Sequence, residues 1–247
     1  MRIGLIGTGN IGTTVARRLS QAGHTLLIAN SRGPETIGDL AAEIGASAVT
    51  AEEAVRDVDV VILSVPMAKI PLMKELLAQA APGTVVADMS NYYPYRDGQI
   101  PALDAGQVES LWVTEQIGRP LVKAWNTVLS GSIETKSLPK GAVGRIALPV
   151  AGDDDAAKKT VMSLVEDTGF DAIDAGSLED SWRLQPGNPC YCTDLDADEL
   201  HRALETAERS RAPQLRDQAV AKLMEFGDKL TMDDLLGINR SLFLQTP

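Results

Sequence analysis

Met1-Arg2-Ile3-Gly4-Leu5-Ile6-Gly7-Thr8-Gly9-Asn10-Ile11-Gly12 opens the chain, and its reading governs everything after it. Residues 2–6 have the apolar texture of a strand buried on both faces. Glycines stand directly after it at Gly7, Gly9 and Gly12, and residues 11–22 then carry apolar side chains at helical spacing. Each glycine has a geometric task in such a strand–turn–helix unit. Gly7 permits the tight turn, Gly9 lets a pyrophosphate approach the backbone, and Gly12 lets the helix pack close to the strand. Thr8, Asn10 and Ile11 complete the loop, whose exposed amides at the helix start would face phosphate charge.

The alternation continues outward from this unit. Strands are expected at 25–29, 46–49, 58–63 and 84–87, with helices at 34–44, 51–55 and 69–80 between them. A loop-rich insertion covers 91–118. Beyond it come a strand at 120–124, a helix at 127–137, a strand at 145–150, a helix at 153–168 and a strand at 170–174. This is an α/β pattern, a Rossmann-type doubly wound parallel sheet. From Ser177 the texture changes to a Pro/Gly-containing loop and helical patterns at 198–209 and 214–226. The expected organisation is a dinucleotide-binding domain over 1–178 and a smaller, mostly helical extension over 179–247, serving as a lid on the acceptor site or as a dimer interface.

The end of the second strand selects the dinucleotide. An acidic residue there would hydrogen-bond a ribose 2′-hydroxyl and repel a 2′-phosphate. This chain has Asn30, Ser31 and Arg32 instead. Arg32 offers a charge-assisted, fork-shaped donor and Ser31 a hydroxyl, with Thr8 able to add another. The expected cofactor is therefore NADP(H).

Composition narrows the classes further. A net charge of −11 argues against nucleic acid and anionic membrane surfaces as general partners. No apolar run reaches the roughly 18 residues of a spanning helix, and the opening run breaks at Gly7, so no signal peptide is read there. The two cysteines, Cys190 and Cys192, make no disulfide framework and lack nearby partners for a metal site; they read as loop thiols in a cytoplasmic protein. No metal is expected. With His24 and His201 as its two histidines, the chain is a poor candidate for a histidine base.

Other residues admit two readings. The run Asn91-Tyr92-Tyr93-Pro94-Tyr95-Arg96-Asp97-Gly98 could stack a planar acceptor and hold its anionic group, or could simply cover the sheet edge. Lys123 could donate a proton to a carbonyl or imine acceptor, or sit in a structural ion pair. Trp112, Trp125 and Trp182 read as core residues, and Asp153-Asp154-Asp155 as a helix start.

The sequence resembles the deazaflavin (coenzyme F420)-dependent NADP oxidoreductase family, to which the NADPH domains of the STEAP metalloreductases are related. The likeness runs from Met1 to about Leu178. It rests on Gly7–Gly12, Asn30-Ser31-Arg32, Ser64-Val65-Pro66, Lys123-Ala124-Trp125-Asn126-Thr127 and Asp174-Ala175-Gly176-Ser177-Leu178. The resemblance implies a 2′-phosphate at Thr8, Ser31 and Arg32, and a nicotinamide near Ser64, Val65, Pro66, Asn126 and Thr127. It further implies hydride transfer directly between stacked rings, a flavin- or deazaflavin-like small-molecule acceptor, and a homodimer. From about Ser181 the chain departs from the deazaflavin-using members, so two further readings stay open: an NADPH-dependent carbonyl or imine reductase, and a non-catalytic NADP(H) sensor. No catalytic side chain is assigned.

Overall fold

The computed structural model describes residues 1–227 and 230–244. Its strands are β1 Arg2–Ile6, β2 Thr25–Ala29, β3 Ser47–Ala48, β4 Val60–Leu63, β5 Val85–Asp88, β6 Val122–Lys123, β7 Ala147–Gly152 and β8 Asp171–Asp174. They lie side by side in the order β3-β2-β1-β4-β5-β6-β7-β8. The first six run parallel; β7 pairs antiparallel with β6, and β8 runs parallel to β7. The doubly wound α/β expectation holds, with the last two strands reversed.

Helices cover both faces. Those of the first half are α1 Asn10–Gln21, α2 Gly38–Ile44, α3 Ala51–Val55, α4 Lys74–Leu77, α5 Pro94–Asp97 and α6 Pro101–Asp104. They are followed by α7 Glu109–Ile117, α8 Ser130–Thr135, α9 Asp155–Asp167, α10 Ala197–Glu205, α11 Ala212–Phe226 and α12 Met232–Phe243. Strand alternation splits the apolar residues between two cores. Ile3, Leu5, Val60 and Ile62 join Val15, Leu19, Ile133 and Val161 from α1, α8 and α9 on one face. On the other, Ile6, Val61 and Leu63 join Val55, Leu77 and Val113 from α3, α4 and α7. A sheet covered on both faces needs such near-continuous apolar strands.

Departures from expectation have local causes. The stretch expected as one helix at 69–80 is a 3-10 segment, Met67–Met73, followed by α4, because Pro71 inside it has no N–H to donate. The stretch at 34–44 likewise splits into a 3-10 turn, Pro34–Thr36, and α2. The insertion at 91–118 is not all loop: α7 lies within it, burying Glu109, Ser110, Trp112, Val113 and Ile117. Burial around so much of α7 leaves little amphipathic signal to read. Helix α12 was not expected, although Thr231 and Asp234 give it a reciprocal capping box.

The extension expected over 179–247 includes residues 228–229 and 245–247, which lie outside the described residues. Its first part, expected as a loop, is driven into the molecule. Leu184, Asn188, Cys190, Tyr191, Cys192 and Thr193 are all buried. Their backbone groups find partners in the sheet domain and in α12. Cys192 N–H donates to Thr127 O (2.8 Å) and Ala147 N–H to Leu195 O (2.8 Å). Asn239 donates to Cys192 O and Arg240 to Thr193 O. Buried backbone must be paired in this way for the burial to be stable.

Candidate active site

At the carboxyl end of β1 the chain turns at Gly7, whose φ of 107° is left-handed territory that favours glycine. A Cβ on Gly7 would lie 2.1 Å from Ser64 O, and one on Gly12 would lie 2.1 Å from Gly7 O and 2.9 Å from Ser64 Oγ. The turn, the start of α1 and the end of β4 are thus pressed together. Gly9 differs: a Cβ there would meet nothing within 4 Å. It is the exposed N-cap of α1, with no side-chain cap and no acidic residue in the first turn. Sterics do not demand a glycine at this position, so its bareness leaves room for a ligand against the backbone, with the positive end of α1 behind it.

Asn30, Ser31 and Arg32 follow β2 at the same edge. Asn30 Oδ1 accepts from Arg32 N–H (2.9 Å), and Asn30 Nδ2 donates to Thr36 Oγ1 (3.0 Å). Ser31 and Arg32 are exposed, and their side chains have no partner among the described residues. Thr36, which sequence reasoning passed over as a helical residue, is what holds Asn30 and hence this turn in shape.

The ends of β5 and β6 form a denser polar knot. Asp88 and Lys123 are fully buried and joined by a 2.6 Å ion pair. Asp88 also accepts from Ser90 N–H (3.1 Å) and Ser90 Oγ (2.9 Å), while Lys123 Nζ donates to Ser90 O as well. Neither Asp88 nor Glu109 was singled out from the sequence. A carboxylate closing the run Val85-Val86-Ala87 was the available signal for Asp88; Glu109 offered none, since only the fold buries it. Glu109 Oε2 accepts from Tyr92 N–H (3.1 Å). Burial pushes its carboxyl up to about 7, against the opposing pull of Lys123, the Tyr92 N–H and Arg216.

Asn126 and Thr127 sit beside this knot, both buried. Asn126 Nδ2 donates to Asn91 Oδ1 (3.1 Å) and Leu184 O (2.8 Å), and Asn91 Nδ2 returns a bond to Asn126 O (3.0 Å). Asn126 Oδ1 and Thr127 Oγ1 are buried without a hydrogen-bond partner among the described residues. Ser64 and Val65 are half-buried and Pro66 exposed at the neighbouring strand end. The structure therefore brings the glycine turn and Ser64 into contact, and Asn91 against Asn126, while Asn126 and Thr127 lie under the chain at Leu184 and Cys192. Trp125 is turned away into the core, where its Nε1 donates to Thr168 Oγ1 (3.2 Å).

The remaining candidates resolve simply. Asp154 caps α9 by accepting from Ala157 N–H, as expected of a helix start. Cys190 and Cys192 are free and buried, and burial pushes the Cys190 thiol up to about 12 and that of Cys192 higher still. Both are protonated at neutral pH, the wrong state for a metal ligand or nucleophile. No cluster of metal-binding side chains occurs among the described residues. No helix among them is long and apolar enough to cross a membrane. A cavity of about 770 Å³ lies elsewhere, beside Arg18, Arg145 and Glu166. Its cations are already engaged, Arg145 with Glu166 and Asp171 and Arg18 with two carbonyls of α8.

The fold and this glycine-lined edge define a dinucleotide-dependent oxidoreductase of the Rossmann class. The profile of the family described as NADP oxidoreductase, coenzyme F420-dependent, matches residues 2–92. The chain is 38% identical over 110 residues to protein YjhV of Escherichia coli K12, spanning 44% of this chain and 80% of that protein. It superposes on the hypothetical protein SMa0349 of Sinorhizobium meliloti with a TM-score of 0.69 and 31% identity, over 80% of this chain and 97% of that one. A protein of Arthrobacter sp. FB24, assigned provisionally as an F420-dependent NADP-reductase, matches with a TM-score of 0.60 and 23% identity, over 72% of this chain and 86% of that one. This chain belongs to the coenzyme F420-dependent NADP oxidoreductase family, and is an NADP-dependent oxidoreductase.

Proposed function

We propose that the chain passes hydride directly between NADPH and a flavin- or deazaflavin-like acceptor. The observation that carries this reading is the bare N-cap at Gly9, standing between Gly7 and Gly12, which pack against Ser64, and accompanied at the end of β2 by an Arg32 side chain with no partner among the described residues. Gly7, Thr8, Gly9, Asn10, Ile11 and Gly12 would hold the pyrophosphate, and Asn30, Ser31 and Arg32 the 2′-phosphate. Ser64, Val65 and Pro66 would flank the nicotinamide, with Asn126 and Thr127 behind them supplying two buried oxygens that lack partners among the described residues. When bound, the cofactor supplies a hydride, so NADPH, a proton and the oxidised acceptor give NADP⁺ and the reduced acceptor. The protein's own part is to orient the two rings and exclude water.

Lys123 bears on the competing carbonyl or imine reading, which needs a proton donor. Its ammonium is engaged by Asp88 and the Ser90 carbonyl, which favours the ion-pair role. Residues 1–178 are read as the cofactor-binding unit and 179–247 as the acceptor-side extension. A homodimer is part of the proposal, supported by the exposed Met224 and Phe226 of α11 and Leu244 just after α12; sedimentation tests it.

NADPH oxidation measured in parallel against F420, flavins, quinones, imines and ketones tests the function. Turnover with the tricyclic acceptors is expected. Turnover confined to ketones or imines overturns the acceptor assignment, and tight NADPH binding with no turnover would leave a sensor.

A further inference from the structure

The segment leaving β5, which winds into the single turn of α5, divides its three tyrosines into two kinds. Tyr92 is buried, its hydroxyl 2.7 Å from Asp104 Oδ1. Tyr93 points inward, its hydroxyl donating to Tyr191 OH at 2.9 Å. Tyr95, two residues on, is 62% exposed. Its ring meets that of Tyr93 edge to face, with centroids 5.6 Å apart and planes at 61°, so it is propped from below.

Arg96 stands beside it with its guanidinium 5.4 Å from the Tyr93 ring centre. Nε and Nη2 donate to Asp97, and Nη2 also to Asn91 O. Nη1 has no partner among the described residues, and the side chain is 41% exposed. The Asp97 side chain, fully buried, accepts from Tyr93 N–H (3.0 Å) and Ala68 N–H (3.4 Å). The turn is thereby tied on one side to the segment after Pro66 and on the other, through Asn91, to Asn126. An exposed aromatic ring and half a guanidinium fork are held rigidly between the two strand ends assigned above to the nicotinamide. A solvated loop needs none of these ties, whereas a binding surface gains from them because less freedom is lost when a ligand docks.

We infer that Tyr95 and Arg96 form the acceptor platform: the Tyr95 ring stacks on a planar heteroaromatic acceptor, and Arg96 Nη1 holds an anionic group, a phosphate, on that acceptor's side chain. The inference rests on the hydride-transfer reading for its role but not for its test. Asp97 occupies the other edge of the guanidinium and offsets part of its charge, so Arg96 contributes selectivity more than raw affinity.

Two acceptor pairs differ in the phosphate alone or in the phosphate-bearing tail: FMN with riboflavin, and F420 with its deazariboflavin core. Binding of each to the full-length protein is read by fluorescence quenching, and NADPH binding and steady-state oxidation are measured alongside. Tyr95→Ala is expected to weaken all bound acceptors about tenfold and leave NADPH unchanged. Arg96→Gln is expected to weaken the phosphorylated member about fivefold and not its partner, erasing the preference. Arg96→Lys, which keeps the charge, should retain part of it, and thermal melting checks that each variant folds.

Acceptor binding that depends on Tyr95 without NADPH oxidation would uphold the platform and overturn the hydride reading. Flavin-dependent NADPH oxidation with the acceptor KM unchanged in both variants would overturn the platform alone. Failure of all four compounds to bind, or equal loss of acceptor and NADPH affinity in Tyr95→Ala, also overturns it.

Discussion

Lys123 Nζ and Asp88 Oδ2 lie 2.6 Å apart, with the two side chains 1% and 0% exposed, at the ends of adjacent parallel strands. Such a pair holds only while both members are present. Lys123→Met should leave the Asp88 carboxylate buried and unpaired, at a cost of about 3–5 kcal/mol. Urea unfolding measures this, and the double variant Asp88→Leu/Lys123→Met should recover much of the loss. An unchanged midpoint in Lys123→Met would mean that water reaches the site.

Glu109 should make stability depend on pH. Its carboxyl is raised from 4.5 in the unfolded chain to about 7 in the folded one, chiefly by burial. The charged form is thus tolerated less well folded than unfolded. The residue's contribution is fully present below the unfolded value and is lost as pH rises through about 7. Glu109→Gln keeps an acceptor for Tyr92 N–H and removes the titration. Relative to the wild type it should gain stability between about pH 5 and about pH 8, by on the order of 3 kcal/mol. Melting curves across that range whose difference does not change with pH would refute it.

Gly9 and Gly12 should respond oppositely to the same substitution. A side chain on Gly9 enters open space, so Gly9→Val should melt close to the wild type while NADPH binding falls by at least about tenfold. On Gly12 it collides with Gly7 O, so Gly12→Val should destabilise by about 1–3 kcal/mol or more. Circular dichroism and nucleotide titration together separate the two, and undiminished NADPH affinity in Gly9→Val would move the pyrophosphate elsewhere.

Arg32→Ala should lose NADPH affinity by about 10- to 100-fold, since a charge-assisted contact to phosphate disappears. NADH, which lacks the 2′-phosphate, should bind nearly as before. Equal loss for both would remove Arg32 from the 2′-phosphate site.

Much of this molecule could be read locally. The bounds of β1, β2 and α3 fall where the sequence places them, because a run such as Leu26-Leu27-Ile28 is stable only as a buried strand and Thr50 with Glu53 closes the start of α3. The spacing of Gly7, Gly9 and Gly12 likewise states its geometry in a few residues. Asn30, Ser31 and Arg32 stand out in the sequence as candidates at a strand end, but Thr36, which braces their turn, does not.

Lys123 marks the boundary between the two kinds of knowledge. Its neighbours in the chain identify it as part of a family motif, and no local rule says whether its charge meets a substrate or a partner. Asp88, 35 residues earlier, answers that only when β5 and β6 lie side by side. The same holds for Glu109, whose titration depends on Tyr92, Lys123 and Arg216 converging from three other segments, and for residues 190–193, a loop by composition whose burial is sustained by backbone bonds to Thr127, Asn239 and Arg240. Propensity and glycine stereochemistry act within a few residues and are written in the chain. Burial and electrostatics are properties of neighbours in space, and here they decided the ion pair, the raised carboxyl and which of the three tyrosines Tyr92, Tyr93 and Tyr95 faces outward.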